Sequence, residues 1–166
     1  MVGVSSVKSN KAALSSPAIA LDWLRLASIV LAVLGALVAG YMTWAELSGN
    51  ETVCLDAGTI DCRAVQESAY AETLGVPVAV LGLLGFLAIL AVLVLEDQVP
   101  ILAAYGRTLV VGMALFGVIF QTYLTYIEAS VLNKWCQWCV TSYVIITAVF
   151  VIGVVRLMRF LNPLRR

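Results

Sequence analysis

Four apolar stretches decide what this chain can fold into. Trp23–Trp44, Pro77–Leu95, Leu109–Ile127 and Trp135–Val155 run 19 to 22 residues each. At about 1.5 Å per residue, a helix needs about 20 residues to cross the hydrocarbon core of a bilayer. Of 166 residues, 62% are hydrophobic and 12% charged, and the mean hydropathy is +1.01, which excludes an ordinary soluble domain. The first stretch is too long for the apolar part of a cleavable signal. The pattern predicts an all-α membrane protein, a four-transmembrane-helix bundle with helices over about 23–44, 77–95, 108–128 and 135–156. Residues 1–21 read as a loose tail, 22–160 as one domain with an outer loop at 45–76, and 161–166 as a basic tail.

Zero net charge conceals an asymmetry. Lys8, Lys11, Arg25, Arg107, Arg156, Arg159, Arg165 and Arg166 fall on one side of such a bundle, and only Arg63 and Lys134 on the other. Positive charge is retained in the cytoplasm, so both termini are expected there, in a multi-pass arrangement. Seven of the ten acids and all four cysteines then face outward. An even set of thiols on the oxidising side points to disulfide chemistry. The chain has no histidine, which removes imidazole general bases, histidine-ligated haem and mixed Cys/His zinc sites. It also has no Gly-rich phosphate loop and no basic nucleic-acid stripe.

Ala32, Ala36 and Gly40 repeat every four residues, a stripe suited to close helix contact. Residues 45–76 are too few to build a core without a staple. Within them, Asp61 reads as an N-cap and Gly75 as a stop, predicting a helix over 61–75 with Cys62, Val65, Ser68 and Ala69 on one face. That helix is expected to roof the outer end of the bundle, and Gly49 and Gly58 to loosen the stretch holding Cys54. Gln121 is the deepest of the polar residues that end the third apolar segment, and either lines a pocket or meets the interface.

The richest stretch is Trp135-Cys136-Gln137-Trp138-Cys139-Val140-Thr141-Ser142-Tyr143. Its CxxC opens the last membrane helix, so two thiols share the first turn, where the helix N-terminus favours thiolate. Tyr143 lies one turn deeper on the same face. A dithiol above a phenol at membrane depth suits a lipid-soluble substrate. Cys54 and Cys62 on the same side allow a relay in which a mobile outer pair passes electrons to a fixed inner pair, and from there to a quinone. Two other readings stand beside it: disulfides that merely staple the outer loops, and a four-cysteine zinc site, for which seven intervening residues is a wide spacing. Ser68 as a surface hydroxyl, Tyr143 as a packing residue and Trp138 as an interfacial anchor are the corresponding plain readings.

Taken together, Cys54 and Cys62 with seven residues between, Ser68 six further on, GVPVAVLG at 75–82 and WCQWCVTSY at 135–143 resemble the vitamin K epoxide reductase family. The chain looks like one of the bacterial members, which act as quinone-linked thiol oxidases, and the resemblance runs from about the first apolar segment to the end of the last. The resemblance implies that Cys136 and Cys139 are the active-site pair, with Cys139 next to the quinone. It makes Cys54 and Cys62 the shuttle pair, and Ser68 and Tyr143 quinone-site residues; Gln121 and Trp138 are further candidates for that site. It implies a ubiquinone, menaquinone or vitamin K type of quinone and no metal. The other four-helix quinone-linked family, the DsbB type, carries its CxxC in the first outer loop, the reverse of the order here. Between Pro77 and Leu95 no asparagine is present to hold a vitamin K carbonyl, so quinone reduction is expected rather than epoxide reduction. Without a fused thioredoxin-like domain, a separate thioredoxin-fold (DsbA-like) protein is expected to supply electrons, at a bacterial plasma membrane.

Overall fold

The computed structural model describes residues 17–50, 52–54, 58, 60–68, 70–73 and 75–162. Lys8, Lys11, Arg165 and Arg166 of the expected tails, Glu51 and Asp56 of the outer loop, and Ala69 of the expected roof face lie outside them. The elements run α1 Pro17–Ser48, α2 Cys62–Gln66, β1 Glu72–Thr73, β2 Val76–Pro77, α3 Val78–Leu95, α4 Pro100–Ile127, a π-helical turn Glu128–Leu132, and α5 Gln137–Leu161. Four helical spans are long and apolar enough to cross a membrane: Trp23–Ser48, Val78–Leu95, Pro100–Leu132 and Gln137–Leu161. Leu34, Phe116, Val144 and Val151 remain exposed on their outer faces, as lipid-facing side chains must.

The helices pack in the cyclic order α1–α3–α4–α5, and the α3–α4 seam is the loosest. The α1 seam is made by Ala32, Gly35 and Ala39 at alternating spacings of three and four, with Ala36 and Gly40 only half-buried. A Cβ on Gly35 would stand 2.3 Å from the Phe86 ring, so the backbones meet there only because the side chain is absent.

Helix bounds differ from those hydropathy suggests at four places; α1 begins at Pro17, inside the expected tail, and α5 runs on to Leu161 past its apolar stretch. The α1 helix runs on to Ser48, where Gly49, at φ 65°, lets the chain turn. The Gly49 N–H reaches the Glu46 carbonyl and the Asn50 N–H that of Ala45, a Schellman ending that fixes the stop better than polarity does. The α4 helix begins at Pro100 rather than near 108. Proline is tolerated at the first helical position and keeps Val99 extended. Arg107 therefore lies inside the helix, where it pairs with Glu96.

The expected roof helix over 61–75 is a single short turn followed by a hairpin. Asp61 caps it as predicted, its Oδ1 accepting the Ala64 N–H at 3.0 Å, and this backbone bond, with Lys134 nearby, holds the carboxyl below its usual range. The helix stops because Ser68 Oγ donates to the Val65 carbonyl, a local bond that competes with helix propagation. Gly75, at φ 75°, serves the turn between β1 and β2 rather than a helix end.

At the end of the bundle away from the cysteines, Arg156 and Glu96, each 2% exposed, pair at 3.0 Å. Arg107 reaches the same carboxylate at 3.1 Å and lies over the Phe160 ring. Arg25 bonds Asp97 and the Leu93 carbonyl. Ion pairs thus tie all four long helices where the basic residues collect.

Candidate functional site: four cysteines between two recesses

The four cysteines converge where α1 and α4 end and α3 and α5 begin. Cys54 and Cys62 are joined by a disulfide bond, and Cys136 and Cys139 are free thiols. Cys62 and Cys136 are both fully buried and share one cluster with Met42, against which Cys54, Val65, Ala79, Trp138 and Cys139 pack.

Backbone pairing accounts for the convergence. Ile60 and Trp135 form a parallel bridge, and the Asp61 N–H donates to the Trp135 carbonyl at 3.1 Å. Each bridge residue is followed closely by a cysteine, so one short pairing brings Cys62 and Cys136 into the same cluster. The Cys54 side is held separately. The Val53 carbonyl accepts from Trp138 Nε1 at 2.9 Å and Gln137 Nε2 at 3.1 Å, and the Val53 N–H donates to Tyr41 Oη at 3.0 Å. The Tyr41 and Trp138 rings meet with centroids 5.0 Å apart.

Cys136 is the N-cap of α5, its Sγ accepting the Cys139 N–H at 3.4 Å. It precedes the span that begins at Gln137, and hydrogen bonding with the Cys139 thiol holds it below the ordinary thiol range despite burial. An N–H directed at sulfur favours its charged form.

Below the thiols, an apolar cavity of about 980 Å³ runs between α3 and α4. Phe86, Met113, Phe116, Phe120, Leu124 and Ile146 supply much of its wall. Ser68, Gln66, Gln121, Glu128, Ser142 and Cys139 bring polar groups to it. Of the predicted residues, Cys139, Ser68 and Gln121 therefore share this cavity, and Gln121 Nε2 also donates to the Cys139 carbonyl at 3.2 Å. Tyr143 and Trp138 are placed elsewhere. One step round the helix from Ser142, Tyr143 bonds Thr122 Oγ1 at 3.0 Å across the α4–α5 seam. The Trp138 indole is turned toward Val53 by its N–H bond, so it holds the Cys54 strand rather than walling the cavity.

Above the disulfide lies a second, open and polar recess of about 630 Å³, which Cys54 lines together with Glu46, Asn50, Asp61, Arg63 and Lys134. Lys134 pairs with Asp61 at 3.4 Å and Arg63 with Glu67 at 2.8 Å. The cysteines thus lie between a polar opening and an apolar cavity. Among the described residues, no group of three or more Cys, Asp or Glu side chains is arranged to hold a metal ion.

Sequence reading passed over two residues. Gln66 has a buried Nε2 without a hydrogen-bond partner at the cavity wall, while its Oε1 accepts from Thr52 Oγ1. Its position in the first outer loop carried no signal of its own. Glu128, counted only as an outer acid, is 3% exposed and accepts the Cys136 N–H through Oε2 at 3.1 Å. An acid closing an apolar segment eight residues before a CxxC was the available sign.

A large apolar cavity with a few convergent polar groups is the usual form of a small-molecule site, and an orphaned donor at its wall fits a carbonyl-bearing ring. A model of the vitamin K epoxide reductase family matches residues 26–154, a span that holds all four long helices' packed regions and all four cysteines. Together with the four-helix bundle and the clustered cysteines, that match makes the chain a member of the vitamin K epoxide reductase family, and with it a multi-pass membrane oxidoreductase acting on thiols.

Proposed function

We propose that the protein oxidises a thioredoxin-fold (DsbA-like) dithiol protein and passes the electrons to a membrane quinone, so supporting disulfide formation outside the cytoplasm. The observation that carries this reading is the placement of Cys139 at the apolar cavity and of Cys54 at the polar recess, with Cys62 and Cys136 buried together between them.

The partner's thiolate attacks Cys54, breaking the Cys54–Cys62 bond, and Cys62 leaves as a thiolate. Cys62 attacks Cys136 of an oxidised Cys136–Cys139 pair, and Cys139 is released. Cys54 then closes on Cys62 again while the partner leaves oxidised, and the two electrons rest on Cys136 and Cys139. One disulfide outside and two thiols inside is the arrangement that stage requires. The quinone, as substrate, takes the pair of electrons from the inner dithiol and leaves as quinol. In this reading Gln66 Nε2 donates to a ring oxygen, Ser68 joins it when its O–H turns from the Val65 carbonyl to the cavity, and Gln121 steadies the first turn of α5. Tyr143 acts through the α4–α5 seam and Trp138 through the Cys54 strand. Exclusion of water and fixed donors at the developing quinol oxygens supply the catalysis.

The basic residues at the opposite end support cytoplasmic termini and outward cysteines in a bacterial plasma membrane. The test is coupled turnover in lipid nanodiscs with a reduced DsbA-like protein and ubiquinone-1 or menadione. Equal amounts of partner disulfide and quinol are expected, with Cys54→Ala abolishing partner oxidation but sparing quinone reduction by a small dithiol. Partner oxidation that continues without quinone, or equal loss of both activities in Cys54→Ala, would contradict the relay.

A further inference from the structure

Glu128 is a carboxylate where none is needed for packing. It sits in the π-helical turn that interrupts the α4 ladder just before the thiols, and such turns are frequent at functional sites. The turn is pinned: the Glu128 carbonyl accepts the N–H groups of both Asn133, in the left-handed conformation at φ 52°, and Lys134. Its side chain is directed inward, with Oε2 on the Cys136 N–H, and it lines the apolar cavity together with Cys139. A buried acid is costly to keep unless it is bonded or used. One backbone N–H satisfies only part of a carboxylate's four acceptor sites.

We propose that Glu128 is a catalytic acid–base residue of the inner site, taking the proton of the Cys139 thiol and delivering it to a quinone oxygen. The proposal rests on the quinone-linked reading above. The Cys139 S–H bond breaks toward the Glu128 carboxylate, and the sulfur's electron pair goes to the quinone. Cys136 sulfur forms the S–S bond to Cys139, shedding its own proton. Two thiols are oxidised to one disulfide; the quinone gains two electrons and two protons, one from Glu128 and one shed by Cys136. Glu128 ends as the carboxylate it began as.

The charged and titratable groups around it are few. Cys136 and Cys139 face it from α5, and Glu46 shares the cavity wall from the end of α1. Lys134 and Arg63 are engaged outward by Asp61 and Glu67. No described cation pairs with Glu128, so no salt bridge holds it in the charged form.

The test uses the full chain, reduced and anaerobic in detergent, mixed with menadione, with quinol formation followed by stopped flow from pH 5.5 to 9. Glu128→Gln keeps an oxygen for the Cys136 N–H and removes the proton carrier. Its rate should fall about 100-fold at pH 7, within the usual range for loss of an acid–base group. The remaining rate should climb with pH where the wild type is flat, and Glu128→Asp should recover at least about tenfold of the loss. A Glu128→Gln rate within threefold of the wild type, with the same pH profile, overturns the proposal. Wild-type protein that forms no quinol overturns the quinone reading itself, a result separable from a silent variant. If Glu128→Gln does not fold, Glu128→Asp decides: a displaced pH profile supports the proton role, and a profile coincident with wild type overturns it.

Discussion

Cys136 and Cys139 differ although they are three residues apart on one helix. Cys136 caps the helix and receives the Cys139 N–H, so its charged form is favoured; Cys139 faces the apolar cavity. The division suits a relay in which Cys136 is the sulfur attacked from outside and Cys139 the one that meets the quinone. It has a consequence in pH. A thiol held below its ordinary range carries thiolate at lower pH, and removing the group that holds it there must move its ionisation up. In a Cys54→Ala, Cys62→Ala background, Cys139→Ala should therefore shift the Cys136 thiolate absorbance at 240 nm to higher pH, because the hydrogen bond from the Cys139 thiol is the leading cause of the lowering. An unchanged or lowered midpoint would mean that the helix terminus alone sets it. The four cysteines were legible as types and spacings, and Ser68 and Gln121 as polar residues next to the right elements. Gln66 and Glu128 were not, because their significance lies in burial without a full set of partners, and burial is invisible in a row of letters. Tyr143 shows the limit of helical counting: residues 142 and 143 both follow Cys139 by about one turn, and only the seam with Thr122 decides which one faces the cavity.

At the scale of elements, the close α1–α3 approach sets the opposite wall of the cavity. Phe86 lies over Gly35 and also lines the cavity, so any group added at 35 pushes the ring. Gly35→Ala should cost about 1–3 kcal/mol, the usual penalty for overpacking, read as a lower unfolding temperature in detergent. Phe86→Leu in the same chain should restore part of it, and two independent, additive losses would show that the ring is not what the new methyl meets. Small-residue spacing in α1 announced a contact seam; which of the two overlapping stripes, 32/36/40 or 32/35/39, makes it depends on the rotation of the helix. The long helices were legible because apolar length is imposed by the bilayer. The roof was not. A capping aspartate correctly began α2, yet the Ser68 side chain ended it at Gln66 and the chain went on into a hairpin turning at Gly75, and neither feature competes visibly at the level of hydropathy.

For the whole molecule, the two ends of the bundle do opposite things. One end is locked by Arg156–Glu96–Arg107, a buried network whose disruption typically costs about 3–5 kcal/mol, with the more exposed Arg25–Asp97 pair beside it. The other end carries the thiols on short, locally bonded segments: a bridge at Ile60–Trp135, three side-chain bonds at Val53, one turn of helix. A rigid base with a lightly held cysteine end suits the proposed relay, in which Cys54 reaches outward while Cys139 stays at the cavity. The central claim is that electrons leave through the inner pair into that cavity. It is tested most directly by fully reducing the purified protein, removing the reductant anaerobically, adding quinone stepwise, and mapping by peptide mass spectrometry which thiols disappear as quinol forms. The account predicts one quinol for each pair of thiols lost, with Cys136 and Cys139 the first pair to join. Quinol without loss of those two thiols, or loss of Cys54 and Cys62 thiols in a Cys139→Ala chain at the wild-type rate, would contradict it.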